Sequence, residues 1–110
     1  MRSEESPMVV RLDVETQIEW VEVVLGVFER RCTQCGYELD AIHSMGTAVR
    51  EALTDGMRLG NRMDPGKRLR IEIETRSTAA GGPAVEVAIG DERGSATLQA
   101  PSICSSERIF

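Results

Sequence analysis

Apolar residues along this chain recur first with the period of a strand and then with the period of a helix. The segment Met8 to Val14 is rich in β-branched residues and partly alternates, which predicts an edge strand. From Glu15 to Cys32 the apolar residues follow helical spacing, so we expect a core-facing helix with Thr16 as its cap. Gly36 is placed to end that helix as a carboxyl-terminal glycine.

A second helix is predicted from about Leu39 to Asn61, because apolar residues again recur every three or four positions. We expect Gly60 to permit the left-handed turn that stops this helix. The residues predicted to face the core are Ile42, Met45, Val49, Leu53 and Met57.

Strand periodicity returns in the second half of the chain. Residues Leu69 to Thr75 and Ala84 to Ile89 alternate between apolar and polar, which predicts an antiparallel hairpin. The segment STAAGGP between them is predicted to be a turn, because it lacks the Lys-Ser/Thr ending of a Walker phosphate loop. Residues 95–110 show no sustained alternation and are expected to form an atypical tail, and residues 1–7 a disordered leader.

The order strand, helix, helix, strand, strand predicts an α+β protein. We expect a two-layer sandwich in which the helices lie on one face of a mostly antiparallel sheet. So short a sheet should leave an unpaired edge and an uncovered apolar face, which self-association would cover. The expectation is a homodimer with contacts from Met8 to Val14 or from Ala96 to Phe110.

Length and charge limit the possible partners. A chain of 110 residues is one domain, and its net charge of -5 without any basic run argues against nucleic acid as a partner. The acidic, polar start MRSEESP is not a signal peptide, and the chain has no apolar stretch long enough to span a bilayer. These features predict a cytoplasmic protein that does not bind membranes.

Three cysteines do not make a closed disulfide framework. Cys32 and Cys35 form a CTQC motif without a second pair of ligands, so half of a zinc site is missing. The motif falls at the end of a predicted helix, whereas a redox-active thiol pair belongs at a helix start. We therefore expect these two cysteines to be structural.

The most informative polar pair lies in the second predicted helix. Glu51 and Asp55 are four residues apart, so their carboxylates project from the same helix face and repel each other. A divalent cation between them would relieve the repulsion and form a hard oxygen site. Alternatively, both carboxylates simply lie on a solvated face. The spacing alone leaves both interpretations open.

The sequence around this pair resembles the first conserved box of the histidine-kinase-like ATPases. Within EALTDGMRLGN and the following DPGKRLRIEIE, the likeness is greatest to bacterial anti-sigma-factor serine/threonine kinases, and it extends from Met8 to about Gly94. It implies the fold of that family, shortened at its carboxyl end. The residues that match are Glu51, Ala52, Gly60, Asn61, Asp64 and Pro65.

The resemblance also implies a role for several residues. Glu51 would be the general base that activates a hydroxyl group, and Asp55 would occupy the position of the magnesium ligand. A second family box, Asp-x-Gly-x-Gly-Phe, falls at Asp91 to Ala96. There Asp91 would accept a hydrogen bond from adenine, and Gly94 would contribute to the close approach of the backbone to the nucleotide. The implied cofactors are ATP and Mg²⁺.

The chain departs from the family pattern at positions that matter for nucleotide binding. Asp55 replaces the family's Asn, Leu59 its His and Arg93 its first Gly, and the nucleotide lid is absent. The resemblance thus implies a regulatory serine/threonine kinase domain with impaired ATP binding, whose partner is a sigma factor or an anti-anti-sigma protein. The alternative is an inactive relative that serves as a protein-interaction module.

Overall fold

The computed structural model describes residues 8–77 and 82–100. A strand and two helices come first and three further strands follow. Together these elements make an α+β protein, as predicted. In chain order they are β1 (Met8–Glu15), α1 (Glu19–Gln34), α2 (Leu39–Asp55), a π-helical turn (Gly56–Gly60), β2 (Arg68–Ser77), β3 (Pro83–Asp91) and β4 (Gly94–Ala100).

The strands form one antiparallel sheet in the order β1-β2-β3-β4. The predicted β2–β3 hairpin is confirmed, and β1 lies at an edge of the sheet as expected. One row of side chains crosses all of the strands, because Val10 pairs with Ile73, Ile73 with Val87, and Val87 with Leu98. Because successive side chains of a strand point to opposite faces, this register places every second residue of each strand on the same face of the sheet.

Helices α1 and α2 cover that apolar face, which gives the predicted two-layer arrangement. Burying this apolar surface is the main driving force of the fold. The largest fully buried side chains come from both layers and include Phe28, Leu53, Met57, Leu69, Ile71 and Ile73. All five residues predicted to form the core side of α2 are buried.

The opposite face of the sheet is charged. Arg11 of β1 pairs with Glu72 of β2 at 3.0 Å, and Arg76 lies 3.0 Å from Glu74 and 3.5 Å from Glu86. The expectation of an uncovered apolar sheet face is therefore wrong for the described residues. The reason is that the polar positions of each alternating strand all point to the side without helices.

Helix α1 begins later than predicted and runs to Gln34, two residues past the predicted Cys32, with the expected glycine ending at Gly36. Thr16 does not cap it, because its hydroxyl donates to the carbonyl of Lys67 at 2.6 Å and ties the chain before α1 to the start of β2. Gly36 adopts a φ of +91° after the last turn, and the next amide, of Tyr37, donates to the carbonyl of Cys32. This is a Schellman ending, which a glycine favours.

Helix α2 passes from α-helical to π-helical geometry before it ends. Its last turn widens into the π-helical turn Gly56–Gly60, where the amide of Asn61 donates to the carbonyl of Gly56 at 2.8 Å. The left-handed residues after it are Arg62 and Met63, each with a φ of 56°. The prediction that Gly60 supplies the left-handed turn is therefore wrong.

The chain from Gly94 onward forms a strand, β4, that the sequence pattern did not predict. Residues Gly94–Ala100 pair with residues 85–91 of β3. Short side chains at Ser95, Ala96 and Thr97 hide the alternation, whereas the register with β3 is set by a tight turn at Asp91. Residues 101–110 of the expected tail, the leader 1–7 and part of the STAAGGP turn lie outside the described residues.

No helix in the described ranges is long and apolar enough to cross a membrane.

Candidate functional site

The two motifs of the sequence analysis meet where α2 ends against the turn between β3 and β4. Asp91 is the last residue of β3 and is buried. Its carboxyl group lies directly on the backbone of Gly60, so a Cβ at position 60 would overlap all three carboxyl atoms, with Oδ1 the farthest at 2.7 Å. Gly60 is required for close packing and not for its φ angle.

Arg93 folds back over Asp91 from the same turn. Its backbone amide donates to Oδ1 of Asp91 at 2.7 Å, and its Nη2 donates to Oδ2 at 3.0 Å. The first contact is the usual local hydrogen bond of an aspartate at the start of a turn. Gly94 completes the turn with a φ of +131°.

These contacts set the charge state of the site. Burial alone would raise the pKa of Asp91, but the hydrogen bonds and the charge of Arg93 outweigh it and lower the pKa. The same contacts raise the pKa of Arg93. Both groups are therefore charged at neutral pH.

The guanidinium group of Arg93 also reaches helix α2. Its Nη2 lies 3.4 Å from Oδ2 of Asp55, so one cation bridges two carboxylates that are 36 positions apart in the chain. Asp55 thus has a cationic partner, which offsets the repulsion between its carboxylate and that of Glu51. Sequence reasoning treated Arg93 only as a missing glycine and did not find this bridge.

Asn61 holds the surrounding elements together. Its buried side chain donates to the Thr16 hydroxyl at 2.9 Å and to the carbonyl of Arg68 at 3.1 Å. It also accepts a hydrogen bond of 2.8 Å from the amide of Glu92 in the β3–β4 turn. One amide therefore links the end of α2 to the segment before α1, to β2 and to the turn that carries Arg93.

Beside this cluster an open groove of about 640 Å³ runs along α2 toward β4. Glu51 lines it one helical turn before Asp55, and both side chains are exposed. The side chain of Glu51 has no hydrogen bond or ion pair within the described part of the chain. The remaining lining residues are Ala48, Arg50, Ala52, Thr54, Arg58 and Leu98.

The structure thus brings together four residues that the resemblance assigned to a nucleotide site. Glu51 and Asp55 share the groove, whereas Asp91 and Gly94 lie in the adjoining turn behind Arg93. In residues 8–77 and 82–100, no group of three or more His, Cys, Asp or Glu side chains could hold a metal ion. As arranged, the residues do not fit Mg-ATP, because the carboxylate expected to bind adenine already accepts hydrogen bonds from Arg93.

The CTQC motif lies far from this site, at the end of α1. Cys32 is fully buried, and burial raises the pKa of its thiol to about 12. Since only the thiolate is reactive, this thiol is inert at neutral pH. That property agrees with the structural role expected for it.

Comparison with models of known protein families gives no match, and comparison with curated proteins gives none either. The function is therefore inferred from the site itself.

Proposed function

We propose that this domain is a regulatory relative of the anti-sigma-factor serine/threonine kinases that binds Mg-ATP weakly and acts as a protein-interaction module. The main support for this proposal is the pair of contacts that Arg93 makes with Asp55 and Asp91. Both carboxylates with implied ligand roles have a cationic partner within 3.5 Å, so a nucleotide would have to displace that cation first.

The remaining geometry fits a protein-binding surface better than a site for ATP turnover. The groove is open and has a partly apolar wall, to which Ala52 and Leu98 contribute. By resemblance, the partner would be a sigma factor or an anti-anti-sigma protein. A cytoplasmic location agrees with such a partner and is part of the proposal.

A competent kinase is the second candidate function. Glu51 favours it, because this carboxylate is exposed, unpaired within the described residues, and one turn from Asp55 in a groove of about 640 Å³. In that case Glu51 would accept a proton from a serine or threonine hydroxyl of the partner protein, and Asp55 would hold Mg²⁺ once Arg93 had moved away.

Calorimetric titration of Mg-ATP into the wild-type chain and an Arg93→Gly variant separates the two candidates. The variant restores the glycine of the family box and frees Asp91 and Asp55. We expect very weak binding by the wild type and an affinity at least about tenfold higher for Arg93→Gly. Adding Asp91→Asn to the variant should remove the gain.

Arg62→Gly is the matched control. It removes the same charge from an exposed residue close to the end of α2, at a left-handed position that glycine tolerates. Its affinity for Mg-ATP should equal that of the wild type. Wild-type binding in the low micromolar range would favour the kinase, and an Arg93→Gly variant without any gain would show that Arg93 is not the obstacle.

A further inference from the structure

The face of the sheet without helices carries one arginine that has no partner in the described part of the chain. The other arginines described on this face are each paired with carboxylates, Arg11 with Glu72, Arg68 with Asp13, and Arg76 with Glu74 and Glu86. Arg70 of β2 is exposed, and its side chain has no hydrogen bond or ion pair within residues 8–77 and 82–100. Asp13, its register partner on β1, is among the carboxylates already paired. The positive charge of Arg70 is therefore not compensated by the described residues.

The guanidinium group of Arg70 lies over the neighbouring strand β3. Gly90 is the register partner of Arg70, and a Cβ at position 90 would lie 3.2 Å from Nη2 and 3.5 Å from Nε of the arginine. Gly90 does not have a positive φ, so its backbone conformation does not require glycine. A glycine inside a strand often marks a place where another group approaches the backbone closely. Here that group is the Nε and Nη2 edge of Arg70, which holds two neighbouring donors.

Ser95 supplies a hydroxyl group on the other side of Gly90. It is the register partner of Gly90 on β4 and is exposed, and its Oγ would lie 3.3 Å from the same Cβ position. This hydroxyl makes no hydrogen bond with Arg70 or with any other described residue. Ala88 and Thr97, the neighbouring pair on the same face, have short side chains and leave space beside the arginine. Two strands thus present unused donors around one bare stretch of backbone.

We propose that Arg70 and Ser95 bind a tetrahedral oxyanion, either inorganic phosphate or a phosphate monoester, on this face of the sheet. The Nε–H and Nη2–H groups of Arg70 donate to two oxygens of the anion, and the Ser95 hydroxyl donates to a third. A carboxylate has only two oxygens, and the arginine fork would use both of them. Three donors from two strands therefore favour phosphate over a carboxylate.

This site is separate from the groove along α2. The groove is lined by Leu98 on the helix-covered face of the sheet, whereas Arg70 and Ser95 lie on the opposite face. The inference therefore goes beyond the proposed function and does not depend on it. Loss of one activity would leave the other open to measurement.

NMR titration of the ¹⁵N-labelled chain with sodium phosphate, at constant ionic strength, tests the proposal. We expect saturable shifts of the Gly90 and Ser95 amides and of the Arg70 Nε–H, with a dissociation constant on the order of 1 mM. Arg70→Gln should weaken binding at least about tenfold, because it removes both the charge and the fork. Arg70→Lys keeps the charge without the planar fork, so its affinity should also fall well below that of the wild type. Ser95→Ala should weaken binding about threefold to tenfold.

A phosphate monoester and a carboxylate define the ligand. Glycerol 2-phosphate should bind within about threefold of inorganic phosphate, because three of its oxygens remain available, whereas acetate should bind at least about tenfold more weakly. Binding of both phosphates supports a monoester as the ligand, and binding of inorganic phosphate alone supports the free ion. Acetate that binds as tightly as phosphate contradicts the tetrahedral site.

Arg76→Gln is the matched control, since it removes the same charge from an exposed residue on the same strand and face. It lies six positions from Arg70, roughly 20 Å along the strand. Its affinity for phosphate should equal that of the wild type, and circular dichroism checks that each variant is folded. Absence of saturable shifts at Gly90 and Ser95, or equal affinity of Arg70→Gln and the wild type, overturns the proposal. Equal weakening by Arg76→Gln also overturns it, because it would indicate general attraction of the anion to a charged surface.

Discussion

At the residue scale, the carboxyl group of Asp91 is held between two neighbours of different character. The backbone of Gly60 lies on one side, and the guanidinium group of Arg93 lies on the other. The glycine provides space, whereas the arginine provides charge compensation for a largely desolvated carboxylate. A change at either neighbour should therefore affect Asp91 for a distinct physical reason.

The packing of Gly60 can be tested with alanine. Gly60→Ala places a methyl group inside the carboxyl group of Asp91, so we expect the free energy of unfolding to fall by about 2 kcal/mol or more. Urea unfolding measures this change. Because the three nearest atoms all belong to that carboxyl group, Asp91→Ala should make the same glycine substitution much less costly.

Gly26→Ala provides the control for Gly60→Ala. A Cβ at Gly26, in the middle of α1, meets no atom within 4 Å, so alanine there should stabilise the protein by about 0.5–1 kcal/mol. Equal effects of the two substitutions would contradict the proposed packing of Asp91 on Gly60.

The Asp91–Arg93 pair predicts an acid-dependent stability. The pKa of Asp91 is lowered on folding, so its ionised form stabilises the native state at and above the ordinary aspartate pKa of about 3.9. That contribution is lost as the pH falls through the lowered pKa. Unfolding free energies measured between pH 7 and pH 2.5 should therefore fall more steeply for the wild type than for Arg93→Ala. Arg62→Ala, which leaves the pair intact, should follow the wild type.

The sequence pointed to Asp91 as a site residue but did not predict the contacts that Arg93 and Asn61 make. Arg93 and Asn61 contact residues that are distant in the chain, and no local pattern specifies such contacts. Arg93 could have been suspected because it follows an aspartate by two positions in a turn, where local hydrogen bonds are common. For Asn61 the signals were its match to the first family box and its place just after a strongly apolar helix, and neither reveals burial.

At the scale of elements, the helices and central strands follow directly from apolar periodicity, and their ends do not. The core face of α2 and the alternation of β2 are strong, long patterns. The end of α2 depends instead on Asn61, Gly60 and the β3–β4 turn, which come together only in the folded chain. Strand β4 was missed because its register comes from pairing with β3 and not from its own weak pattern.

Asn61 should therefore contribute to stability through several elements at once. Asn61→Ala leaves the amide of Glu92 and the carbonyl of Arg68 without their side-chain partner, and we expect a loss of about 2–3 kcal/mol. Thermal or urea unfolding measures it. Gln17→Ala, which truncates an exposed amide side chain, should change stability by less than about 0.5 kcal/mol.

The hydrogen bond between Asn61 and Thr16 can be isolated by a double-mutant cycle. The combined cost of Asn61→Ala and Thr16→Val should be smaller than the sum of their separate costs, since both remove the same contact. Strict additivity would show that the two side chains do not interact in solution.

At the scale of the whole molecule, the sheet is stabilised unevenly. Strands β2 and β3 have neighbours on both sides, and their inward residues Ile71, Ile73 and Val87 are at most 2% exposed. Strand β1 carries the exposed residues Met8 and Val9, and among residues 94–98 of β4 only Leu98 packs against the core. The two outer strands of the described sheet therefore depend on the inner two.

This asymmetry predicts the order in which backbone amides exchange with solvent. Native-state hydrogen exchange, followed by mass spectrometry, should show the slowest exchange in the middle of β2 and β3, because those hydrogen bonds open only when the core around Ile71 and Ile73 is disrupted. Amides of β4, and those of β1 near Met8, should exchange sooner by local opening. Ile73→Ala should lower the protection of β2 and β3 toward that of the outer strands, since it creates a cavity in the core between the helices and the sheet. Protection of β4 equal to that of β2 in the wild type would instead indicate that another surface covers the β4 edge in solution.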